Sequence, residues 1–355
     1  MAINRRKTIF FLPARAGGAE RMGITIAKML DTELFDVKFV LVCNEVESII
    51  NFIPENYEVI HLRVHNIWDF TVLRIAKLVR KEKPDAVYGC MCYLNTHVIF
   101  GTKLAFTKSK IIVRNDNQSS YFGAFKQFLM RISYPFADTI IAQQDEMKQD
   151  IVSNLRVDKQ KVVVLQNPID IQSIKEKSTD ASPYAKTDTN IKYVQVGRIS
   201  KDKGQDVLLK AFKIVHDRNS NTRLDIIGLY SEQDSYYQEQ IEYIKSQKLD
   251  DCVRLVGFDN NPYRWIKNAD CFILTSRKEG LPNALIEAMY IGTPVVATTC
   301  IPIIARIVLH NYNGILVEVD DVDGIAKAMK DALNLKDYCF TYKPATKQDF
   351  VNLFM

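Results

Sequence analysis

The chain has 355 residues, 47% of them hydrophobic and 25% charged, which suffices for two domains of ordinary size with a core each and excludes global disorder. Its net charge of +5 is concentrated in one half: residues 1–170 carry 23 Lys and Arg against 18 Asp and Glu, whereas residues 171–355 carry 24 of each. No run reaches the ~18 uncharged apolar residues of a membrane span, and the first residues lack the apolar core of a signal peptide. A soluble or peripheral cytoplasmic protein is expected, its basic first half suited to an anionic surface such as lipid headgroups.

Strand and helix signals alternate along residues 1–170. Apolar runs at 8–12, 37–42, 58–62, 86–90, 110–114, 139–142 and 162–166 read as strands, and helical periods fill 19–30, 70–83, 94–106, 124–136 and 146–154. This predicts a parallel α/β domain with helices on both faces. Gly17 and Gly18 fall at the first strand-to-helix turn, where a missing side chain lets a ligand approach the backbone or simply relieves crowding. The third glycine of the dinucleotide fingerprint is absent. The segment 121–136 holds Tyr121, Phe122, Phe125, Phe128, Tyr134 and Phe136 with Lys126 and Arg131 interleaved. It reads in the first instance as a core helix, and alternatively as a helix lying partly on a membrane surface.

Residues 171–190 are polar and read as a linker. A second α/β domain is expected at 191–335, with strands at 191–196, 223–228, 253–256, 271–275, 294–298 and 314–317. Helices alternate with them at 207–215, 236–248, 263–268, 283–290 and 325–333, and a tail occupies 336–355. Arg198 and Lys203 lie in the loop after the first of these strands, where two cations suit a diphosphate, although a solvated charged loop has the same composition. Glu279 and Glu287 lie after the strand 271–275, the first in the loop and the second about a turn into a helix that opens beyond Pro282. Ligands of open α/β sheets bind at the carboxyl ends of strands, and the free amides of a helix start suit a phosphate. Solvated surface charge is again the plain alternative.

The seven cysteines are odd in number and sit mostly in apolar runs, as small core residues of a reducing compartment do. Cys90-Met-Cys92 has no second pair at zinc spacing. Asp321-Val-Asp323 precedes a helix and reads as helix capping, so no metal site is expected.

Taken together, Gly17-Gly-Ala-Glu-Arg21, Asn167-Pro-Ile-Asp170, Val196-Gly-Arg-Ile-Ser-Lys-Asp-Lys-Gly204 and the E-x7-E segment from Glu279 to Glu287 resemble the large retaining glycosyltransferase family of GT-B fold (family 4-like, group 1) that includes bacterial polysaccharide transferases. The resemblance implies two Rossmann-like domains facing each other across a cleft. It implies that Arg198 and Lys203 hold the donor diphosphate, that Glu279 takes hydrogen bonds from the donor sugar and Glu287 from the ribose. Gly17, Gly18, Gly280, Leu281 and Asn283 complete the donor site. It also implies a nucleotide-sugar donor, most often UDP-linked, a glycan or lipid-linked acceptor, no metal cofactor, no nucleic acid, and a tail returning to the first domain. Two departures stand out. Family members often carry a histidine after the fifth strand, where this chain has Arg114-Asn115-Asp116, leaving Asn115 and Asp116 as acceptor-side candidates and His97 as a packed helix residue. A glycine-rich turn with a glutamate usually follows the strand 294–298, and here it reads Cys300-Ile-Pro-Ile-Ile-Ala-Arg306. A nucleotide-sugar epimerase of the same fold and a non-catalytic nucleotide- or glycan-binding assembly protein are the alternatives.

Overall fold

The structure is a computed structural model that describes residues 5–14, 17–43, 48–64, 70–335 and 339–355. Part of the first glycine loop (15–16), the side chain of Cys43 and the start of the tail (336–338) therefore lie outside the described residues. The chain divides into two compact units, residues 1–169 with 343–355, and residues 170–342.

The first unit runs β1 (Arg6–Pro13), α1 (Gly18–Met29), β2 (Phe35–Cys43), β3 (Glu58–Arg63), α2 (Thr71–Glu82), β4 (Ala86–Gly89), α3 (Cys92–Leu104), β5 (Lys110–Arg114), α4 (Ala124–Ser133), β6 (Thr139–Ala142), α5 (Asp145–Leu155) and β7 (Val162–Val164). Its seven strands are all parallel in the order β3-β2-β1-β4-β5-β6-β7. A buried parallel sheet needs apolar residues on both faces, and the Ile, Val and Phe runs of β1, β2 and β5 supply them. Helices α2, α3, α4 and α5 contribute to the core on one face, and α1 to the core on the other.

The second unit runs α6 (Ile171–Ser178), β8 (Ile191–Val196), α7 (Gln205–Arg218), β9 (Thr222–Ile227), α8 (Ser235–Ser246), β10 (Val253–Gly257), α9 (Tyr263–Lys267), β11 (Cys271–Leu274), α10 (Asn283–Ile291), β12 (Val295–Thr298), α11 (Pro302–Ile307), β13 (Gly314–Val317) and α12 (Val322–Ala332). Its six parallel strands are ordered β10-β9-β8-β11-β12-β13. The strand order reverses between β8 and β11, so the loops leaving those two strands part at their carboxyl ends and open a crevice.

A last helix, α13 (Lys347–Phe354), belongs to the first unit. Phe350, Val351 and Phe354 enter the core beside α1, where Phe354 stacks on Phe10 at 5.4 Å between ring centroids. Full burial of such a ring is worth roughly 1.5–3 kcal/mol. Lys110 donates to the carbonyl of Leu353 at 2.8 Å and Arg6 to that of Met355, so two cations face the negative end of the helix dipole.

Two expectations need correction. The tract 171–190 is not a bare linker. Asp170 caps α6 by accepting from the Ser173 amide, and Ile174 is buried where α6 meets α9 and α10. Farther on, Tyr184 is buried edge-on to Trp265, with the cations of Lys192 and Arg223 over its own ring at 5.4 and 5.7 Å. One apolar residue per turn and one aromatic ring suffice to fasten a stretch whose composition is otherwise polar. The segment 124–136 is not wholly core either. Only Met130, Ser133 and Tyr134 are buried, and Phe125, Phe128, Ile132 and Phe136 face outward.

Candidate active site

Arg198 and Lys203 follow β8, and Glu279 and Glu287 follow β11, the two strands that flank the crevice. After β8 the chain passes Arg198, makes a short turn at Lys201–Lys203 and enters α7 through Gly204 at φ 67°. A Cβ at Gly204 would fall 2.2 Å from the carbonyl oxygen of Thr275, so both the left-handed backbone and the approach of β11 require glycine there. Thr275 fastens the junction: its hydroxyl lies 3.0 Å from the carbonyls of Lys203 and Gly204 and accepts from Gln195 at 3.0 Å.

Lys203 is thereby aimed at the loop that leaves β11. Its Nζ lies 2.5 Å from Oε1 of Glu279, and the buried Ser276 hydroxyl donates to the same oxygen at 2.7 Å. Glu279 is only 7% exposed, so its charge rests on these two donors. Both bonds use Oε1, which leaves Oε2 to meet a ligand hydroxyl. Gly280 and Leu281 are buried behind it, and α10 begins at Asn283 after Pro282. Asn283 and Glu287 are four apart on that helix and share a face. Glu287 is half-buried and accepts from the Tyr263 hydroxyl at 3.3 Å. Arg198 is exposed. Among the described residues, no three His, Cys, Asp or Glu side chains form a cluster able to hold a metal ion.

Sequence reasoning misses one residue of this region and takes a second only as part of an altered turn. Arg277 forms a two-pronged pair with Asp206 at 2.9 and 2.8 Å, donates to Asp320 at 2.7 Å and reaches the Lys201 carbonyl at 2.8 Å. It locks the turn that carries Lys203 to the loop that carries Glu279. Its bond to Asp206 raises the guanidinium's affinity for its proton further. Against the opposing effect of burial, the same contact and the Tyr236 hydroxyl hold the Asp206 carboxyl below the ordinary range. The second is Cys300. It stands just beyond β12, whose Thr298 hydroxyl donates to the Ser276 carbonyl at 2.6 Å. Burial and then the charge of Glu279 push its thiol up to about 12, with Lys203 acting the other way. The expected glycine turn is here Cys300 and Ile301 followed by α11, with Ile301, Ile303 and Ile304 buried.

The remaining candidates lie in the first unit. Gly17 caps α1 from an extended backbone, and a Cβ there would fall 2.4 Å from Oε2 of the buried Glu20; Gly18 opens the helix. Asn115 is fully buried. It accepts from the Tyr134 hydroxyl at 2.9 Å through its side chain, and from Gln143 at 2.7 Å through its carbonyl. Its side-chain Nδ2 is buried with no hydrogen-bond partner. Asp116 is half-buried and accepts from the Cys92 amide at 2.9 Å, at the start of α3. His97 is 4% exposed, with Nδ1 3.0 Å from the Tyr93 carbonyl, and burial lowers its pKa, as befits a packed residue. Asp321 accepts from the Gly324 amide at 2.9 Å and caps α12.

Comparison with known proteins follows this geometry. The family described as Glycosyltransferase Family 4 matches residues 16–173, and that described as Glycosyl transferases group 1 matches residues 176–349. An uncharacterised glycosyltransferase of Methanocaldococcus jannaschii is 31% identical over 255 residues, 66% of this chain and 61% of its own length. The N-acetylgalactosamine-N,N'-diacetylbacillosaminyl-diphospho-undecaprenol 4-alpha-N-acetylgalactosaminyltransferase of Campylobacter jejuni is 26% identical over 363 residues, 96% of this chain and 93% of its own. Among solved structures, Anabaena HepE in complex with UDP-glucose superposes with a TM-score of 0.77 at 19% identity, over 99% of this chain and 98% of that one. The lipopolysaccharide outer core galactosyltransferase WaaB gives 0.65 at 16%, over 98% and 94%.

Proposed function

From the premise that this chain belongs to the glycosyltransferases of GT-B fold, with a family 4 amino-terminal half and a group 1 carboxyl-terminal half, we propose that it moves a sugar from a UDP-sugar to a lipid-linked glycan with retention at the anomeric carbon. The observation that carries the reading is the pair Lys203–Glu279, held on Ser276 at the point where the second sheet reverses its strand order. A cation and a carboxylate fixed side by side there suit a ligand with a charged phosphate next to a neutral sugar.

In this reading Lys203 and the exposed Arg198 neutralise the diphosphate and stabilise the charge that grows on it as the glycosidic bond breaks. Glu279 holds a donor sugar hydroxyl through Oε2. Glu287, one turn into α10, holds the ribose diol, and the amides around Asn283 face the phosphates. Gly17 and Gly18 leave room for a ligand at the carboxyl end of β1. The leaving phosphate oxygen takes the proton of the attacking hydroxyl, so positioning and electrostatics do most of the chemistry. With two cations present for the phosphates, no metal is required.

The acceptor class rests on relatives whose names describe undecaprenol-linked and capsular glycans. Among the described residues no helix is long and apolar enough to cross a membrane. The cysteines Cys90, Cys92, Cys252, Cys271, Cys300 and Cys339 are unpaired, which suits the reducing cytoplasm.

The test is a thermal-shift panel of UDP, GDP, ADP and their common sugars on wild type, Lys203→Ala and Arg198→Ala. Ligand binding stabilises the fold by mass action. Uridine nucleotides are expected to raise the wild-type midpoint, with the rise lost in Lys203→Ala and reduced in Arg198→Ala. No shift with any nucleotide at millimolar concentration would overturn the donor site.

A further inference from the structure

Glu287 stands on α10, but a group that orients it comes from α9. The Tyr263 hydroxyl donates to its Oε1 at 3.3 Å, and Tyr263 itself is 3% exposed. A site carboxylate keeps its geometry only where the groups behind it are themselves fixed. α9 is five residues long, too short to hold a position alone. Where the Tyr263 hydroxyl points is therefore decided by what anchors α9.

At the far end of α9 the buried Thr293 hydroxyl donates to the Ile266 carbonyl at 2.8 Å. Two further anchors come from the polar stretch that opens the second unit. Trp265, on α9, meets the ring of Tyr184 edge-on at 5.7 Å. Asn261, two residues before α9 begins, is 7% exposed. Its Nδ2 donates to the Lys177 carbonyl at 2.9 Å and to Oδ2 of Asp180 at 2.6 Å. Lys177 lies in the last turn of α6, where carbonyls lack their regular helical donor. Only the amide nitrogen can serve two acceptors, so the orientation of the Asn261 side chain is set. Its Oδ1 is left buried without a partner. An apolar residue of the same size would avoid that cost and lose the tie to α6.

We propose that Asn261 and Tyr263 are positioning residues for the nucleotide's ribose. The end of α6 holds Asn261, Asn261 sets the start of α9, and Tyr263 turns the Glu287 carboxylate to receive the ribose hydroxyls. The inference rests on the reading of Glu287 as the ribose contact and goes beyond it. Discrimination between ribose and 2′-deoxyribose is governed in part from α6 and the turn after it, through Glu287.

The test is isothermal titration of the full chain with UDP and with 2′-deoxy-UDP, read as the ratio of the two affinities. Wild type should prefer UDP by about tenfold or more, as a hydrogen bond to a charged group provides. Glu287→Ala should bring the ratio close to one. Tyr263→Phe and Asn261→Leu should each lower it severalfold. A merely looser fold weakens both ligands alike and leaves the ratio unchanged. Asp180→Ala, at an exposed residue, removes one of the two Asn261 bonds and should lower the ratio by about twofold, a readout that survives if Asn261→Leu does not fold. A wild-type preference that Glu287→Ala abolishes, while Tyr263→Phe, Asn261→Leu and Asp180→Ala keep it in full, would overturn the proposal and leave the ribose reading standing. Equal or absent binding of the two ligands by wild type, or a preference that survives Glu287→Ala, would overturn both.

Discussion

Arg277 grips both carboxylate oxygens of Asp206, across 71 positions of sequence, at 2.9 and 2.8 Å. The pair holds the turn Lys201–Lys203 against the loop after β11, and so fixes the distance between Lys203 and Glu279. Replacing Arg277 by Met removes a half-buried, charge-assisted bond to Asp206 and strands the carboxylate. The expected loss is about 1.5–3 kcal/mol. For a unit of this size that lowers the melting midpoint by several degrees, and the UDP-dependent rise should shrink with it. Arg277→Lys keeps the charge without the fork and should recover less than half of the loss.

Glu279→Gln leaves the shape of the loop and the Ser276 contact but removes the charge that faces Lys203. The expected effect is a fall in kcat of roughly 10²–10³-fold with little change in melting midpoint, comparable to removing one preorganised electrostatic contact elsewhere. Turnover measured with a lipid-linked acceptor and the preferred donor checks it. An unchanged kcat would remove Glu279 from the catalytic machinery.

Cys300 reports the same charge without any acceptor. With its thiol pushed up to about 12 by burial and by Glu279, it stays protonated and alkylates slowly at pH 8. Glu279→Gln should bring the thiol down and speed its reaction with iodoacetamide. Lys203→Met should slow it. Peptide mapping by mass separates Cys300 from the other cysteines, and bound UDP-sugar should protect it in the wild type.

Acid should weaken the second unit through Asp188. Burial opposes its charge, but bonds from Asn190 and the Arg223 guanidinium hold its carboxyl at about 2, against an ordinary 3.8. A depressed carboxyl stabilises the fold above its unfolded value and loses that contribution as pH falls through the folded one. The unit should therefore lose stability between about pH 4 and pH 2. Arg223→Met should flatten that loss by removing the contribution in advance. Urea unfolding followed by Trp265 fluorescence, in a Trp68→Phe background, measures it.

Much of this architecture was legible because parallel strands announce themselves as short apolar runs and helices as apolar periods between them. The carboxylate and cation of the site were legible as loop residues after two strands, yet their contact was not: Lys203 and Glu279 are 76 positions apart and meet only because β8 and β11 are neighbours in the sheet. Nothing local singles out Arg277, because its partners Asp206 and Asp320 are 71 and 43 positions away. The helix α6 had one overlooked signal, Asp170 three residues before Ser173, a helix-cap spacing in a tract dismissed for its polarity. For α4 the period gave a helix but not its outward side, because aromatic and aliphatic residues lie all round it.

The connectivity of α13 bears on the order in which the chain closes during synthesis. Residues 170–342 form an uninterrupted unit inserted into the first one, whose core is finished only by Phe350, Val351 and Phe354. The amino-terminal half, made before the inserted unit, has the Phe10 face of its sheet covered only in part, by α1, until α13 has been made. The inserted unit has its whole sequence sooner and can settle before its host. Small domains commonly fold in order of emergence; here the part that begins the chain is the last to be sealed, and its waiting apolar face is where nascent chains are most open to chaperones.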